Sequence, residues 1–235
     1  ANEIPLQQSE RVPSQIQEKA LSIINRVQDN RLEKTYKPKK EKGEIFEVIN
    51  LCDINMIKGT WLILARTNPL LKPISSILKN KGLFFKTVDG NSIAKNLYED
   101  KLNWDKMRKG ETIPEIQEQR LLEKIKGKPN LDLEWYDAFT NVASAKIDYL
   151  RVMLSNGEKI NKDPRITVST IHSAKGGEAT NVVLFLNQTT NTMKASKKSV
   201  YKQDEEYRVW YVGVTRTIQN LYLVKCNNKR KEFII

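Results

Sequence analysis

The chain has 235 residues, of which 39% are hydrophobic, so it can bury the core of one large domain or two modest ones. Its formal net charge of +12 favours a polyanionic partner, although lysines that only maintain solubility are the alternative. No apolar run approaches the roughly 18 residues of a membrane span, no signal-peptide pattern is visible, and the two distant cysteines argue against a disulfide framework or a zinc site. The composition therefore predicts an intracellular protein outside the membrane.

The first third of the chain predicts a helix followed by two strands. Apolar residues in PSQIQEKALSIINRVQDNR recur at helical spacing, which predicts a helix from about residue 14 to 29 with Ser14 as its N-cap. After a basic loop, EIFEVIN alternates as a strand does. The nearly continuous apolar run in TWLILARTN is typical of a strand buried on both faces.

The middle of the chain changes from mixed to helical character. TNPLLKPISSILKNKG predicts a helix with Pro73 near its first turn and a stop at Gly82, and LFFKTV predicts a strand. From Asn91 to about Pro164 charges are dense, and WYDAFTNVASAKIDYLRVML predicts one amphipathic helix. We interpret this region as a helical insertion.

The last segment returns to alternating strands and helices. RITVSTIH and NVVLFLN predict two strands, and a polar loop then leads to a helix through DEEYRVWYVGVTRT and a closing strand, NLYLVKC. This alternation predicts an α/β fold in which helices cover both faces of a parallel sheet.

Polar residues at the ends of these elements are the candidate functional residues, because open α/β sheets bind ligands there. Arg11 precedes the first helix, Arg66 ends a buried strand and Arg216 precedes the last strand. Guanidinium groups keep their charge and bind phosphate oxygens with paired hydrogen bonds, so the three are candidate triphosphate ligands. For each alone, a solvated or ion-paired surface arginine is the alternative.

Two other signals bear on the chemistry. The turn STIHSAKGGEATN, between two predicted strands, holds the single histidine, His172. The sequence contains no GxxxxGK[ST] phosphate loop. The acidic run Asp204 to Glu206 follows a polar segment and not a strand, so we interpret it as surface acidity at a helix start and predict no metal ligands.

Four stretches resemble a known helicase family. TIHSAKGGE with NVVLFL, and then DEEYRVWYVGVTRTIQNLYLV, are similar to motifs V and VI of UvrD/Rep-type superfamily 1 DNA helicases, in the same order and strand context. LQQSERVPSQIQEKALSII resembles motif IV with its helix, and WLILARTNPLLKPISSILKNKGLFFKT resembles the strand and helix after it. One departure is KGGEAT, where the family more often has the shorter KGLEF. The resemblance implies the C-terminal half of such a helicase.

This resemblance also implies an organisation. The expected fold is a RecA-like parallel sheet sandwiched by helices, with residues 1–90 and 164–235 as its two parts and 91–163 as a reduced equivalent of the family's fourth subdomain. In the family, the phosphate loop, the acidic Mg²⁺ box and the adenine-contacting glutamine belong to the first RecA-like domain. That domain, in the same polypeptide, is therefore an expected partner.

The resemblance implies a nucleotide site. Arg11 and Arg216 would reach the γ-phosphate of ATP as catalytic arginine fingers, and Glu178 would contact the ribose. Gly176 and Gly177 would let the backbone approach the nucleotide closely. The expected cofactor is ATP with Mg²⁺, whose metal ligands would lie in the first RecA-like domain.

The resemblance further implies a track for single-stranded DNA that includes His172, Thr170, Lys175 and Arg66. The TxHxxKG form of motif V resembles the branch of the family that moves 3′ to 5′. Such an enzyme is expected in the cytoplasm of a bacterium, an archaeon or a phage-infected host. A stand-alone basic RecA-like module that binds nucleic acid or a partner without catalysis is the alternative function.

Overall fold

The computed structural model describes residues 8–29, 31, 37–174 and 176–235, and it divides the chain into two compact units. The sheet unit consists of Ala1–Ser75 and Arg165–Ile235, and the helical unit consists of Ser76–Pro164. The predicted division of the RecA-like domain and the insertion at residues 90/91 and 163/164 stays a prediction.

The described residues form the following elements. The strands are β1 (Gln8–Pro13), β2 (Lys37–Lys39), β3 (Glu44–Val48), β4 (Trp61–Ala65), β5 (Phe85–Thr87), β6 (Gly90–Asn91), β7 (Ile166–Thr170), β8 (Ala179–Phe185) and β9 (Thr217–Val224). The α-helices are α1 (Ser14–Ile24), α2 (Leu71–Asn80), α3 (Lys95–Arg108), α4 (Glu115–Leu122), α5 (Trp135–Ala138), α6 (Ser144–Ser155), α7 (Thr190–Ser196) and α8 (Val200–Val214).

The sheet unit is built on five parallel strands in the order β3-β9-β8-β4-β7. Central strand β4 pairs with β7 on one side and with β8 on the other, and all five of its residues are buried, as its apolar run predicted. β8 begins at Ala179, directly after Glu178, and keeps one register against β4 from Asn181 to Leu184. The predicted α/β fold with a parallel sheet and a helical insertion is confirmed.

The core of the sheet unit lies between the sheet and the pair α1 and α8. Ile16 and Ile23 of α1 and Trp210 of α8 are fully buried there. The ring of Trp210 stacks on Phe233 near the chain's end, with ring centroids 4.4 Å apart. Apolar residues of both helices therefore cover one face of the sheet.

Helix α1 is shorter than predicted and starts without a side-chain cap. Pro13 is the N-cap, and Ser14 is the first helical residue. The first free amides donate instead to the carbonyls of Glu41 and Lys42, so Ser14 has no capping role. The helix ends at Ile24 and not at residue 29, because the amides of Gln28 and Asp29 turn out of the helix to donate to the Asp204 carboxylate.

The helical unit contains α3 to α6 and the short antiparallel pair β5–β6. One predicted helix, WYDAFTNVASAKIDYLRVML, is wrong as a single element, because the structure breaks it into α5 and α6. At the break Phe139 is buried against Trp104 and Trp135, and the Asn141 amide donates to two backbone carbonyls. Burial of one ring and these hydrogen bonds outweigh the helical spacing.

Two further differences concern short elements. The polar loop predicted before the last helix contains α7, whose N-cap Thr189 accepts a hydrogen bond from the Thr192 amide. The extended start of the chain pairs with the basic loop, as β1 with β2. The predicted stop at Gly82 is confirmed: its φ is +63°, and the following amide returns to the carbonyl of Leu78.

Candidate functional site

Two polar clusters lie at opposite edges of the parallel sheet. Glu178 and Arg216 directly precede β8 and β9, so they lie at the amino-terminal ends of these strands. Arg66 and His172 follow β4 and β7, at the carboxyl-terminal ends. The rule that ligands meet the carboxyl ends of strands therefore applies to only one of the two clusters.

The first cluster, which we call the arginine cluster, consists of Arg11, Gly177, Glu178 and Arg216. Nη1 of Arg11 lies 3.4 Å from Oε2 of Glu178. Nη1 of Arg216 donates to the carbonyl of Gly177 at 3.4 Å, and its Nε donates to the carbonyl of Val212 at 3.1 Å. Four residues predicted for a nucleotide are thus brought together from three separate parts of the chain.

The arginine cluster carries an excess of positive charge. Glu178 pairs directly with Arg11, and its charge acts on Arg216 only through space, so one carboxylate stands beside two guanidinium groups. Burial, and next the neighbouring charge of Arg11, lower the pKa of Arg216, while Glu178 opposes this shift. Among the residues that the structure describes, Nε of Arg11 is buried without a hydrogen-bond acceptor. An anion with several acceptor oxygens, such as a phosphate, fits both the charge and the unused donor.

A cavity of about 340 Å³ adjoins the arginine cluster between α1 and α8. Both arginines line it. The other polar side chains of its lining are Ser9 of β1, Gln17 of α1, Tyr211 near the end of α8 and Thr215 just beyond it. The arginines therefore face open space and not the closed core.

The glycines of the turn have separable roles. Gly176 has a φ of +88°, which an L side chain rarely adopts, although a Cβ there would meet nothing within 4 Å. A Cβ on Gly177 would lie 3.3 Å from the carbonyl of Ala174. Gly176 thus permits the turn and Gly177 permits its close packing. Lys175, predicted to contact DNA, lies outside the described residues.

The second cluster, which we call the histidine groove, is organised by Arg66 and Glu206 of α8. Nε of Arg66 donates to Oε1 of Glu206 at 2.9 Å, and Nη2 donates to Oε2 at 2.8 Å. The Arg66 and Glu206 side chains are only 17% and 7% exposed. The remaining Nη1 of Arg66 lies 3.4 Å from Nδ1 of His172. Arg66 is therefore mainly the partner of a buried carboxylate.

His172 is exposed at the mouth of this groove. Partial burial, and next the charge of Arg66, lower the pKa of its imidazole, while Glu206 opposes the shift. This shift favours the neutral form of the ring. Thr170, the other predicted DNA contact, is buried, and its hydroxyl bonds with Ser173. The structure therefore gives Thr170 a contact that holds the turn.

The groove beside His172 has a volume of about 590 Å³ and a wall made by α7 and α8. Asn191, Thr192 and Ser196 line it from α7, and Lys202 and Arg208 line it from α8. These side chains offer hydrogen-bond donors and positive charge along one open surface.

The interpretation of Asp204 to Glu206 as surface acidity is wrong for two of its residues. Asp204 is 1% exposed and Glu206 is 6% exposed, and only Glu205 faces outward, where it pairs with Lys202. The signal was present in the spacing: Glu206 lies four residues before Trp210, on the same buried face of α8. The prediction of exposure relied on the polar segment before Asp204 and overlooked this four-residue spacing.

Two absences hold for the described part of the chain. No group of three or more His, Cys, Asp or Glu side chains there could hold a metal ion. Within the same residues no helix is long and apolar enough to span a membrane.

The parallel sheet, its flanking helices and the two polar clusters define a RecA-like α/β domain. Residues 91–228, more than half of the chain, match the family model described as the UvrD-like helicase C-terminal domain, and the chain belongs to that family. The match includes the motif V and motif VI segments and leaves out the segment of Arg11. None of the curated proteins matches the chain. The chain is thus a helicase-family protein, and nucleic acid is the partner that this family indicates.

Proposed function

We propose that this chain is the C-terminal half of an ATP-dependent helicase that moves along single-stranded DNA, with the arginine cluster at the nucleotide. The observation that carries the proposal is the meeting of Arg11 and Arg216 beside the single carboxylate of Glu178, which pairs with Arg11, while Nε of Arg11 has no acceptor among the described residues. Structural ion pairs commonly balance opposite charges, whereas this group has one more positive charge than it needs.

In this proposal the arginine cluster holds the terminal phosphate of ATP. Arg216 and Arg11 would bind the γ-phosphate oxygens, and Glu178 would bind the ribose beside them. Two guanidinium groups stabilise the charge that develops during phosphoryl transfer. With no carboxylate cluster for Mg²⁺ among the described residues, we place the metal ligands and the phosphate loop on a preceding RecA-like domain of the same polypeptide.

The histidine groove would carry the DNA. Its α7–α8 wall supplies Lys202 and Arg208 for phosphates, and the exposed segment between α7 and α8 adds Lys197 and Lys198. The net charge of +12 supports a polyanion in this position. Arg66 would be a structural support of the groove, because Glu206 already accepts from two of its three donor nitrogens.

The loop between β7 and β8 would couple the two sites. His172 lies at the carboxyl edge of the sheet and Glu178 at the amino edge, and five-residue β4 between them separates the edges by about 16 Å. A change of nucleotide at Glu178 would therefore displace a loop whose other end touches DNA. From the TxHxxKG pattern we propose 3′-to-5′ movement.

The second candidate is a basic RecA-like module that binds nucleic acid without catalysis. The net charge and the groove favour binding in either case. The arginine cluster separates the two, because a module that never meets a triphosphate gains nothing from two arginines around one carboxylate.

The purified 235-residue chain should hydrolyse ATP no faster than background, because its sequence has no GxxxxGK[ST] loop to hold the β- and γ-phosphates. Release of phosphate is the measurement, with and without single-stranded DNA. The matched control is the same preparation with Arg216→Ala. Robust turnover that this substitution abolishes would show that the chain is catalytically complete and would refute the assignment as one half of the enzyme.

Binding of a single-stranded oligonucleotide should weaken steeply with salt. If three basic side chains of the groove each contact a phosphate, affinity falls roughly twentyfold between about 50 and 200 mM salt. Fluorescence anisotropy measures it. Lys202→Ala should flatten the log–log slope by about 0.7, whereas the exposed Lys159→Ala in the helical unit should leave it unchanged. An affinity of the unaltered chain that does not change with salt would contradict DNA binding in the groove.

A further inference from the structure

Glu206 is the most heavily bonded side chain of the histidine groove. Its Oε1 accepts from Nε1 of Trp210 at 2.7 Å and from Nε2 of Gln188 at 3.2 Å, in addition to the bonds from Arg66. The carboxylate is buried, so each of these donors replaces a water molecule. Three side chains thus fix the Glu206 carboxylate, which in turn holds the Arg66 guanidinium through paired hydrogen bonds.

A fixed Arg66 restricts the imidazole beside it. A guanidinium group donates hydrogen bonds and accepts none. Nη1 of Arg66 lies 3.4 Å from Nδ1 of His172, so an Nδ1 without a proton can accept from it, whereas a protonated Nδ1 would face another donor. The proton of the neutral ring then lies on Nε2, which no described residue engages in a hydrogen bond.

We propose that Glu206 and Arg66 are positioning residues that fix His172 with its proton on Nε2, so that the groove presents one uncharged N–H donor to a phosphate oxygen of single-stranded DNA. The second half of this inference rests on the proposed DNA-binding function. The first half concerns the chain by itself. Arg66 thereby changes from a predicted DNA contact to the residue that orients one.

An uncharged donor has a distinct energetic signature. Lys202 and Arg208, which line the same groove, are cations that would displace counterions when they bind phosphate. The Nε2–H group of His172 is neutral, so its hydrogen bond adds affinity without releasing an ion. The hydrogen bond from Nε2 of His172 should therefore persist at high salt, where the charged contacts weaken. Such a contact suits a protein that must bind a DNA strand and still release it.

The tautomer can be measured directly because His172 is the only histidine in the chain. In the uniformly ¹⁵N-labelled chain above pH 8, long-range ¹H–¹⁵N correlations should show Nδ1 as unprotonated and Nε2 as protonated, in a single form. The same chain unfolded in urea is the matched reference and should show a mixture of both tautomers. A mixture in the folded chain, or a proton on Nδ1, would overturn the inference.

Variants at His172 test what the donor does. His172→Gln can place an amide N–H near the position of Nε2, whereas His172→Asn places it near Nδ1. Oligonucleotide affinity should fall severalfold in His172→Asn and recover at least half of that loss in His172→Gln. Both variants should keep the salt slope of the unaltered chain, in contrast to Lys202→Ala. Equal affinities of the two variants, or a lower slope in either, would contradict the role as an uncharged donor.

The two arms separate failure of this inference from failure of the proposed function. If the oligonucleotide does not bind at all, the proposed DNA track fails, and the tautomer measured without DNA still decides the role of Arg66. If DNA binds and the folded ring shows both tautomers, the positioning role fails and the DNA track stands.

Discussion

In the complete ATP-dependent helicase that we propose, Arg216→Ala should lower the turnover number for ATP by roughly 10³-fold or more, by analogy with other arginine fingers. Arg216 would stabilise charge on the departing phosphate, and Arg11 beside it is partly neutralised by Glu178. Steady-state phosphate release at saturating ATP and DNA is the measurement. Affinity for single-stranded DNA should change little, because Arg216 lies at the opposite edge of the sheet from His172.

Two controls sharpen this result. Arg216→Lys keeps the charge and loses the paired donors, so it should recover only part of the turnover. Arg151→Ala removes a guanidinium that packs on Tyr136 in the helical unit, and it should leave turnover unchanged. Normal turnover in Arg216→Ala would remove Arg216 from the nucleotide site, whatever its effect on DNA.

Arg66→Met should lower the free energy of unfolding of the chain by about 3–5 kcal/mol, because it leaves Glu206 as an unpaired charge in the interior. Met retains most of the apolar stem, so lost packing contributes little. Urea unfolding at pH 7, followed by circular dichroism and by tryptophan fluorescence, measures the change. The fluorescence of Trp210 should respond to the substitution itself, because its indole donates a hydrogen bond to Glu206.

The double variant Arg66→Met with Glu206→Gln is the matched control. Its amide carries no charge and still offers an oxygen to Trp210, so it should recover at least half of the lost stability. A cost below about 1 kcal/mol for Arg66→Met alone would be that of an exposed ion pair and would contradict the buried geometry.

The two clusters explain why the loop from Thr170 to Glu178 is both short and constrained. It must cross from the carboxyl end of β7 to the amino end of β8 while Ile171 and Ala174 remain in the core. Gly176 supplies the left-handed turn, and Thr170 fixes the loop's start through Ser173.

Local composition determined much of the fold. The unbroken apolar run of β4 can exist only inside a sheet covered on both faces, and the alternation of strands and helices specified parallel pairing. Motif spacing also predicted which residues would surround the loop after β7, and the family match confirmed the class of protein. These patterns extend over only a few residues each, so they can be recognised in the sequence alone.

The tertiary structure decided what no local pattern encodes. Arg66 and Glu206 are 140 residues apart, and their pairing gives a predicted DNA contact a buried partner and makes a supposed surface acid a buried acceptor. Asp204, which is 175 residues from Asp29, ended α1 early, and Phe139 broke a periodic helix to reach two tryptophans. In each case a buried hydrogen bond or ring contact between distant residues outweighed local propensity, because desolvated groups must be paired wherever their partners lie.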